Sequence, residues 1–248
     1  MRLIAPPEVM RLVRAGGGEI AVSDCVSFLG VAFDKGSHPI VETMRELIDD
    51  PHLPYSRTTL GQHHERFQPQ TMRELFFPGE GGDAVAQLDD WPVRRSLYRY
   101  VWDISGDQLR DALSSPRRDT NYSFGPATAE DGRGDLDRIK KVLTAVRHDY
   151  RPADFPPVTG YFLSRGQDVR FVIGSGNHRV AALVALGMSH IRVVLHSHPA
   201  VVSAEELATW TRPHGGIYDP QCAYALHDRM LSGSSGWTMS SRPRHLTD

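Results

Sequence analysis

Phe171-Val172-Ile173-Gly174-Ser175-Gly176-Asn177-His178-Arg179-Val180-Ala181-Ala182-Leu183-Val184-Ala185-Leu186-Gly187 is the stretch that decides the fold. A hydrophobic run enters a Gly-rich loop, and the loop opens a helix. Val169–Ile173 predicts a strand, and His178–Leu186 predicts a helix so apolar that most of its sides must be buried. Gly187 suits the helix C-terminus. Gly174 and Gly176 permit backbone angles closed to other residues and let a ligand approach the chain closely. The first N–H groups of a helix lack intrahelical partners, and with the helix dipole they favour an anion. His178 and Arg179 fall in that first turn. A planar guanidinium grips phosphate, and an imidazole donates a hydrogen bond or moves a proton. Ser175 and Asn177 add polar contacts. Residues Gly174, Ser175, Gly176, Asn177, His178 and Arg179 therefore read as a phosphate-binding loop.

Working outward, Val158–Leu163 predicts a strand, Ser164-Arg165-Gly166-Gln167-Asp168 a turn, and Ile191–Leu195 a further strand. Upstream, Leu136, Ile139, Leu143 and Val146 form one helical stripe, with Asp135 as its expected N-cap. Pro152, Pro156 and Pro157 end that helix. Ser114-Ser115-Pro116-Arg117-Arg118-Asp119 has the composition of a linker. Before it, Gly16-Gly17-Gly18 and Gly79-Glu80-Gly81-Gly82 break the chain. Val41–Ile48 and Leu88–Tyr100 are the helical segments expected there. Towards the end, Ser203 and Glu206 have capping-box spacing. Asp219-Pro220 opens a helix through Leu231. From Ser232 onward the polar, Gly- and Ser-rich composition predicts disorder.

The chain has 248 residues, a net charge of −2, 40% hydrophobic residues and 23% charged residues, a globular composition with room for a core. That balance sets up no global field for nucleic acid or an anionic membrane. The longest uncharged runs, Val180–Ile191 and Val193–Ala204, fall short of the roughly 18 residues of a membrane span. Met1–Pro7 contains no apolar signal region. Cys25 and Cys222 are too few for a disulfide scaffold or a Cys-rich zinc site and read as buried small hydrophobes. The expectation is a cytoplasmic protein.

Ile173 to Gly187, followed by Ile191-Arg192-Val193-Val194-Leu195, resembles the ParB/sulfiredoxin superfamily. Its pattern is a strand, a Gly-x-x-His/Arg-Arg loop, an Ala-rich helix ending in Leu-Gly and an Ile-Pro-Val strand. The likeness covers roughly residues 120–200, about a third of the chain. In sulfiredoxins and ParB-like free serine kinases this loop holds nucleotide phosphates, and in ParB it binds CTP. The resemblance implies that Gly174–Arg179 correspond to the phosphate loop, with His178-Arg179 the most diagnostic pair. Sulfiredoxins carry a catalytic Cys where this chain has Asn177, so sulfinic acid reduction is not expected. ParB has Arg-Arg at the diagnostic pair and a DNA-binding domain behind it. This chain has His-Arg, and its remaining C-terminal segment is too short for such a domain. Ser37-His38-Pro39, Phe67-Gln68-Pro69, Phe124-Gly125-Pro126, Tyr161-Phe162-Leu163, Ser175–Ala182 and Ala223–Leu231 are similar to a group of ParB-like bacterial proteins. That group tends to be encoded with polysaccharide or other biosynthetic genes.

Further constellations stand beside the loop. His196 and His198, two apart, could ligate a metal if extended, with His214 and Asp219 nearby only in number. His63 and His64 in His63-His64-Glu65 do not make a natural metal chelate, because helix neighbours point about 100° apart, and the segment reads as solvated surface. Asp34 and His38 are possible general bases beside Ser37. Arg94, Arg95 and Arg99 form a charged helix face that could cover phosphates. Tyr122 and Phe124 could stack on a base or sit in the core, and Glu130 and Asp131 could hold Mg²⁺ with phosphate oxygens.

These readings combine into an α+β fold: a small mixed sheet with a ParB/sulfiredoxin-like core, flanked by N- and C-terminal helices. The expected divisions are 1–115 (mostly helical), 116–200 (core), 201–231 (C-terminal helices) and 232–248 (tail). The expected function is nucleotide-dependent phosphoryl transfer or nucleotide hydrolysis, using ATP or another nucleotide with Mg²⁺, on a small-molecule or sugar intermediate of bacterial biosynthesis. His178 and Arg179 are the expected catalytic residues, and no protein-held metal site is assigned. The alternatives are a non-catalytic ligand-binding or partner protein of a biosynthetic pathway and, against the charge balance, a DNA-associated protein.

Overall fold

The structure is a computed structural model that describes residues 6–33, 38–80, 82–93, 101–102, 106–114, 129–151, 154–196, 199–212 and 216–234. Its strands are β1 (Gly17–Ala21), β2 (Cys25–Ser27), β3 (Val158–Arg165), β4 (Asp168–Ser175), β5 (His190–Leu195) and β6 (Val201–Ser203). Its α-helices are α1 (Pro6–Ala15), α2 (Pro39–Asp49), α3 (Thr59–Arg66), α4 (Met72–Phe76), α5 (Gly106–Ser114), α6 (Ala129–Asp149), α7 (Asn177–Ala185) and α8 (Pro220–Ser232).

The β3–β4 hairpin is the centre of the sheet. It turns at Gly166, whose φ of 55° suits a residue without Cβ. Strand order is β1-β5-β3-β4-β2, with β6 also pairing along β3. β3 runs antiparallel to β4 but parallel to β5 and β6, and β2 runs parallel to β4. The sheet is therefore mixed, as an α+β reading requires. Gly160–Leu163 and Val169–Gly174 are buried on both faces, and their sequence is apolar except for Arg170, whose guanidinium donates to the Ser23 and Leu231 carbonyls. β5 alternates instead, with Ile191 and Val193 buried and His190, Arg192 and Val194 exposed.

The sequence placed the sheet within 116–200. Two of its strands come from the N-terminal region, where β1 pairs β5 and β2 pairs β4. Gly17 and Gly18 of the Gly16-Gly17-Gly18 run thus belong to a strand rather than only to a break. α2 covers the expected Val41–Ile48 segment and buries Val41, Met44 and Leu47. α7 buries the consecutive residues Val180, Ala181, Ala182 and Leu183, and so most of its sides, and packs against α2 and α6.

Four local expectations are corrected. α6 begins at Ala129, so Asp135 lies inside the helix and does not cap it. Part of Leu88–Tyr100 belongs to a 3-10 helix at Gly82–Asp89, and residues 94–100 lie outside the described residues. The Ser203 hydroxyl accepts from the Glu205 amide at 3.3 Å, opening a 3-10 helix (Ala204–Trp210) in place of a capping box with Glu206. Beyond α8, Gly233 takes φ 68°, its carbonyl accepts from the Ala32 amide at 3.1 Å, and Ser234 bridges Val31. The chain is thus packed for two residues past the expected onset of disorder. Cys25 and Cys222 are buried thiols in no disulfide, in keeping with the expected small hydrophobes. Among the described residues, no helix is long and apolar enough to cross a membrane.

Candidate functional site

The β4–α7 turn forms as the sequence predicts. Gly176 occupies the N-cap of α7 at φ 96°, a left-handed angle that penalises a Cβ, and no side chain caps the helix there. Asn177, next in the chain, is buried, and its Nδ2 donates to the Ile173 carbonyl at 2.9 Å, which ties the two ends of the turn together. The first intrahelical bond runs from the Val180 amide to the Gly176 carbonyl at 3.0 Å. The amides of Asn177, His178 and Arg179 therefore precede the helical ladder, which is the arrangement that attracts an anion.

Two members of the expected loop do something else. A Cβ on Gly174 would lie 2.7 Å from Cε1 of His196. The space at Gly174 accommodates that imidazole rather than a ligand. The His196 Nε2 also lies 3.3 Å from the Thr159 hydroxyl, which binds the ring into the sheet end. Arg179 points away from the turn. Its guanidinium donates to the Pro156 carbonyl, hydrogen-bonds Tyr150 and sits 5.4 Å from the Phe155 ring centroid. Consecutive helical side chains diverge by about 100°, so His178 and Arg179 cannot serve one small site together.

His178 faces the other way, towards His38 at the head of α2 and Arg138 on α6. His38 stands at the N-cap of α2, 1% exposed, its ring stacked on Phe33 with centroids 4.5 Å apart. α3 brings His63 and His64, and α6 brings Asp135 and Arg138. The positions are held firmly. Thr58 caps α3 by accepting from the Gly61 amide at 3.1 Å, while the Thr43 hydroxyl on α2 accepts from the Leu60 amide at 2.8 Å. Glu46 on α2 accepts from the Thr59 amide at 2.8 Å. Tyr55, just ahead of α3, hydrogen-bonds the Nδ1 of His64 through its hydroxyl.

Burial dominates the electrostatics. It pushes His38 down to about 3, helped by the charges of His178 and His63. It pushes His63 down to about 4. His178 also falls to about 4, through burial and the neighbouring Arg138. All three imidazoles are neutral at pH 7. The Asp135 carboxyl moves the opposite way, up to about 7, because burial outweighs the attraction of Arg138. Asp135 is 2% exposed, and among the described residues its Oδ1 has no hydrogen-bond partner. Burial and the Asp135 charge raise the Tyr55 hydroxyl well above its ordinary range. Arg138 acts on both Asp135 and His178, and this couples the carboxyl to the first turn of α7.

His63 and His64, expected on the surface, are 8% and 2% exposed. The signal was present: with Leu60 and Phe67 they occupy the i, i+3, i+4, i+7 face of a helix. Asp135 similarly shares the 139, 143, 146 stripe of α6. Other expected residues lie outside the described residues: Asp34, Ser37, Arg94, Arg95, Arg99, Tyr122, Phe124, His198 and His214. Glu130 and Asp131 are in α6, with side chains also outside the description. Asp219, at the head of α8, lies 3.5 Å from Arg212. Among the described residues, no three His, Cys, Asp or Glu side chains converge as a metal cage.

No protein-family model, curated protein or solved structure matches this chain.

Proposed function

We propose that this protein binds a phosphorylated ligand, ATP or another nucleotide, at the first turn of α7 and catalyses phosphoryl transfer or hydrolysis there. The acceptor would be water, a small molecule or a sugar intermediate of bacterial biosynthesis. The observation that carries this reading is the amide end of α7, which no side chain caps, with the neutral His178 imidazole on it and Arg138 acting on both that ring and the buried Asp135 carboxyl. Helix amides without intrahelical partners, a neutral imidazole and a nearby guanidinium together suit phosphoryl oxygens and a hydrogen bond to the transferred group.

His178 is the half-buried member of the imidazole group and the one on the helix turn, so it meets the ligand. The amides of residues 177–179 would take phosphoryl oxygens, and Arg138 would add positive charge. As a neutral imidazole, His178 would accept or donate a hydrogen bond at the transferred group. His38 and His63 stand behind it as positioning residues, and Arg138 ties the ring to the Asp135 carboxyl three residues earlier on α6. Mg²⁺, when bound, would neutralise charge on the phosphates. The described residues form no cage for it.

One observation favours the second reading, a non-catalytic ligand-binding or partner protein: Gly174 and Arg179 are engaged by His196 and by the Tyr150–Pro156 segment.

Thermal unfolding with ATP, ADP, CTP, GTP and pyrophosphate, each with and without Mg²⁺, tests binding, because a native-state ligand raises Tm by mass action. A rise with at least one of them is expected, and no rise with any overturns the proposal. Turnover of the ligand that binds should fall about 100-fold or more in His178→Gln. Full turnover in that variant would remove His178 from the chemistry, and binding without turnover in the unaltered chain would establish the second reading.

A further inference from the structure

Arg179 is the residue the phosphate reading leaves over, and its surroundings form a second feature of the site. Tyr150 and Phe155 lie with ring centroids 5.3 Å apart, and the Arg179 guanidinium stands 5.4 Å from the Phe155 centroid. All three side chains are half-buried, and Pro156 and Pro157 beside them are exposed. The Arg179 fork is held in place by the Pro156 carbonyl and by Tyr150. This group is also close to the α7 turn. Arg179 is the third residue of α7, and Phe155 precedes Val158 by three residues. Val158 in turn lies 3.1 Å from where a Cβ on Gly176 would be.

We infer that Tyr150, Phe155 and Arg179 form a stacking platform for the base of a nucleotide whose phosphates lie on the first turn of α7. The inference rests on the phosphate reading proposed above and adds the other half of the ligand. A nucleobase is planar, polarisable and poorly hydrated on its faces, so aromatic rings and a fixed guanidinium plane suit it. Stacking of this kind is tolerant of base identity. A free sugar phosphate has no planar face to place there. The divergence of His178 and Arg179 then has a chemical sense: one helix turn sends an imidazole towards the phosphate and a guanidinium plane towards the base.

Isothermal titration of the full chain with ADP, GDP and CDP, against pyrophosphate as the matched ligand without a base, tests this. At least one nucleoside diphosphate should bind more tightly than pyrophosphate. In Phe155→Ala that nucleotide should bind about ten-fold or more weakly while pyrophosphate affinity stays the same. Arg179→Lys keeps the charge and removes the plane, and it should weaken the nucleotide selectively in the same way. Equal loss for nucleotide and pyrophosphate would make the three residues a structural staple and overturn the inference. So would nucleotides that bind no better than pyrophosphate. In both cases pyrophosphate binding leaves the phosphate reading standing. Failure of every ligand, pyrophosphate included, removes that reading and the platform with it.

Discussion

Burial holds the Asp135 carboxyl at about 7 and the imidazoles of His38, His63 and His178 at about 3, 4 and 4. The two kinds of shift bend stability in opposite directions. Asp135, raised from 3.8, binds its proton more tightly in the folded chain. Its contribution is full below about pH 4 and is lost as pH climbs to about 7. The imidazoles, lowered from 6.5, contribute fully above about pH 6.5 and lose that contribution as pH falls through their folded values. Three imidazoles against one carboxyl make acidification below pH 6.5 destabilising on balance. Asp135→Asn removes an anion that burial disfavours, so it should raise Tm at pH 8 and change it little at pH 4. Thermal unfolding of both proteins across that range checks this. A Tm difference independent of pH would mean that the carboxyl is solvated. Each pKa unit corresponds to about 1.4 kcal/mol, so even one unit would be resolved.

At the scale of elements, the end of β4 and the exit of β5 meet where the His196 ring occupies the space over Gly174. Gly174→Ala forces that ring aside and should cost about 1–3 kcal/mol, the usual range for overpacking. In a His196→Ala background the same change should cost markedly less. The double-mutant cycle in denaturant therefore reports coupling between the two strand ends, and additive costs would show that backbone, not the ring, sets the penalty. α3 gives a parallel case of what local pattern can say. Its spacing of Leu60, His63, His64 and Phe67 describes one helical face bounded by apolar residues, but spacing does not say which element covers that face. Here Thr43 and Glu46 dock α2 onto the start of α3, and burial of both histidines follows.

Across the whole molecule, the sheet draws its strands from both ends of the chain. β2 completes one side of β4 through the pairs Cys25–Phe171, Val26–Val172 and Ser27–Ile173, and β1 covers β5 from Gly17 to Ala21. A fragment spanning 116–200 would expose both of those edges and the buried β4 face, conditions that favour aggregation over folding. We expect that fragment to lack the dispersed amide spectrum of a folded protein, whereas the full chain shows one. A cooperatively folded fragment would mean that β1 and β2 are accessory.

The sequence by itself determined the β3–β4 hairpin, the glycine turn, α7 and β5, because each is a local matter of apolar period, turn residues and a helix N-terminus. It likewise determined α2 and α8 from their stripe and their Asp–Pro start. Only the tertiary structure decided that Gly174 makes room for His196, that Arg179 turns to Phe155, that His38 comes beside His63 and His178, and that Arg138 acts on both His178 and the buried Asp135. Those outcomes depend on contacts between residues tens to more than a hundred positions apart. Local propensity carries no information about which helix face will be covered, and burial by distant elements is what moves these side chains away from their ordinary charge states.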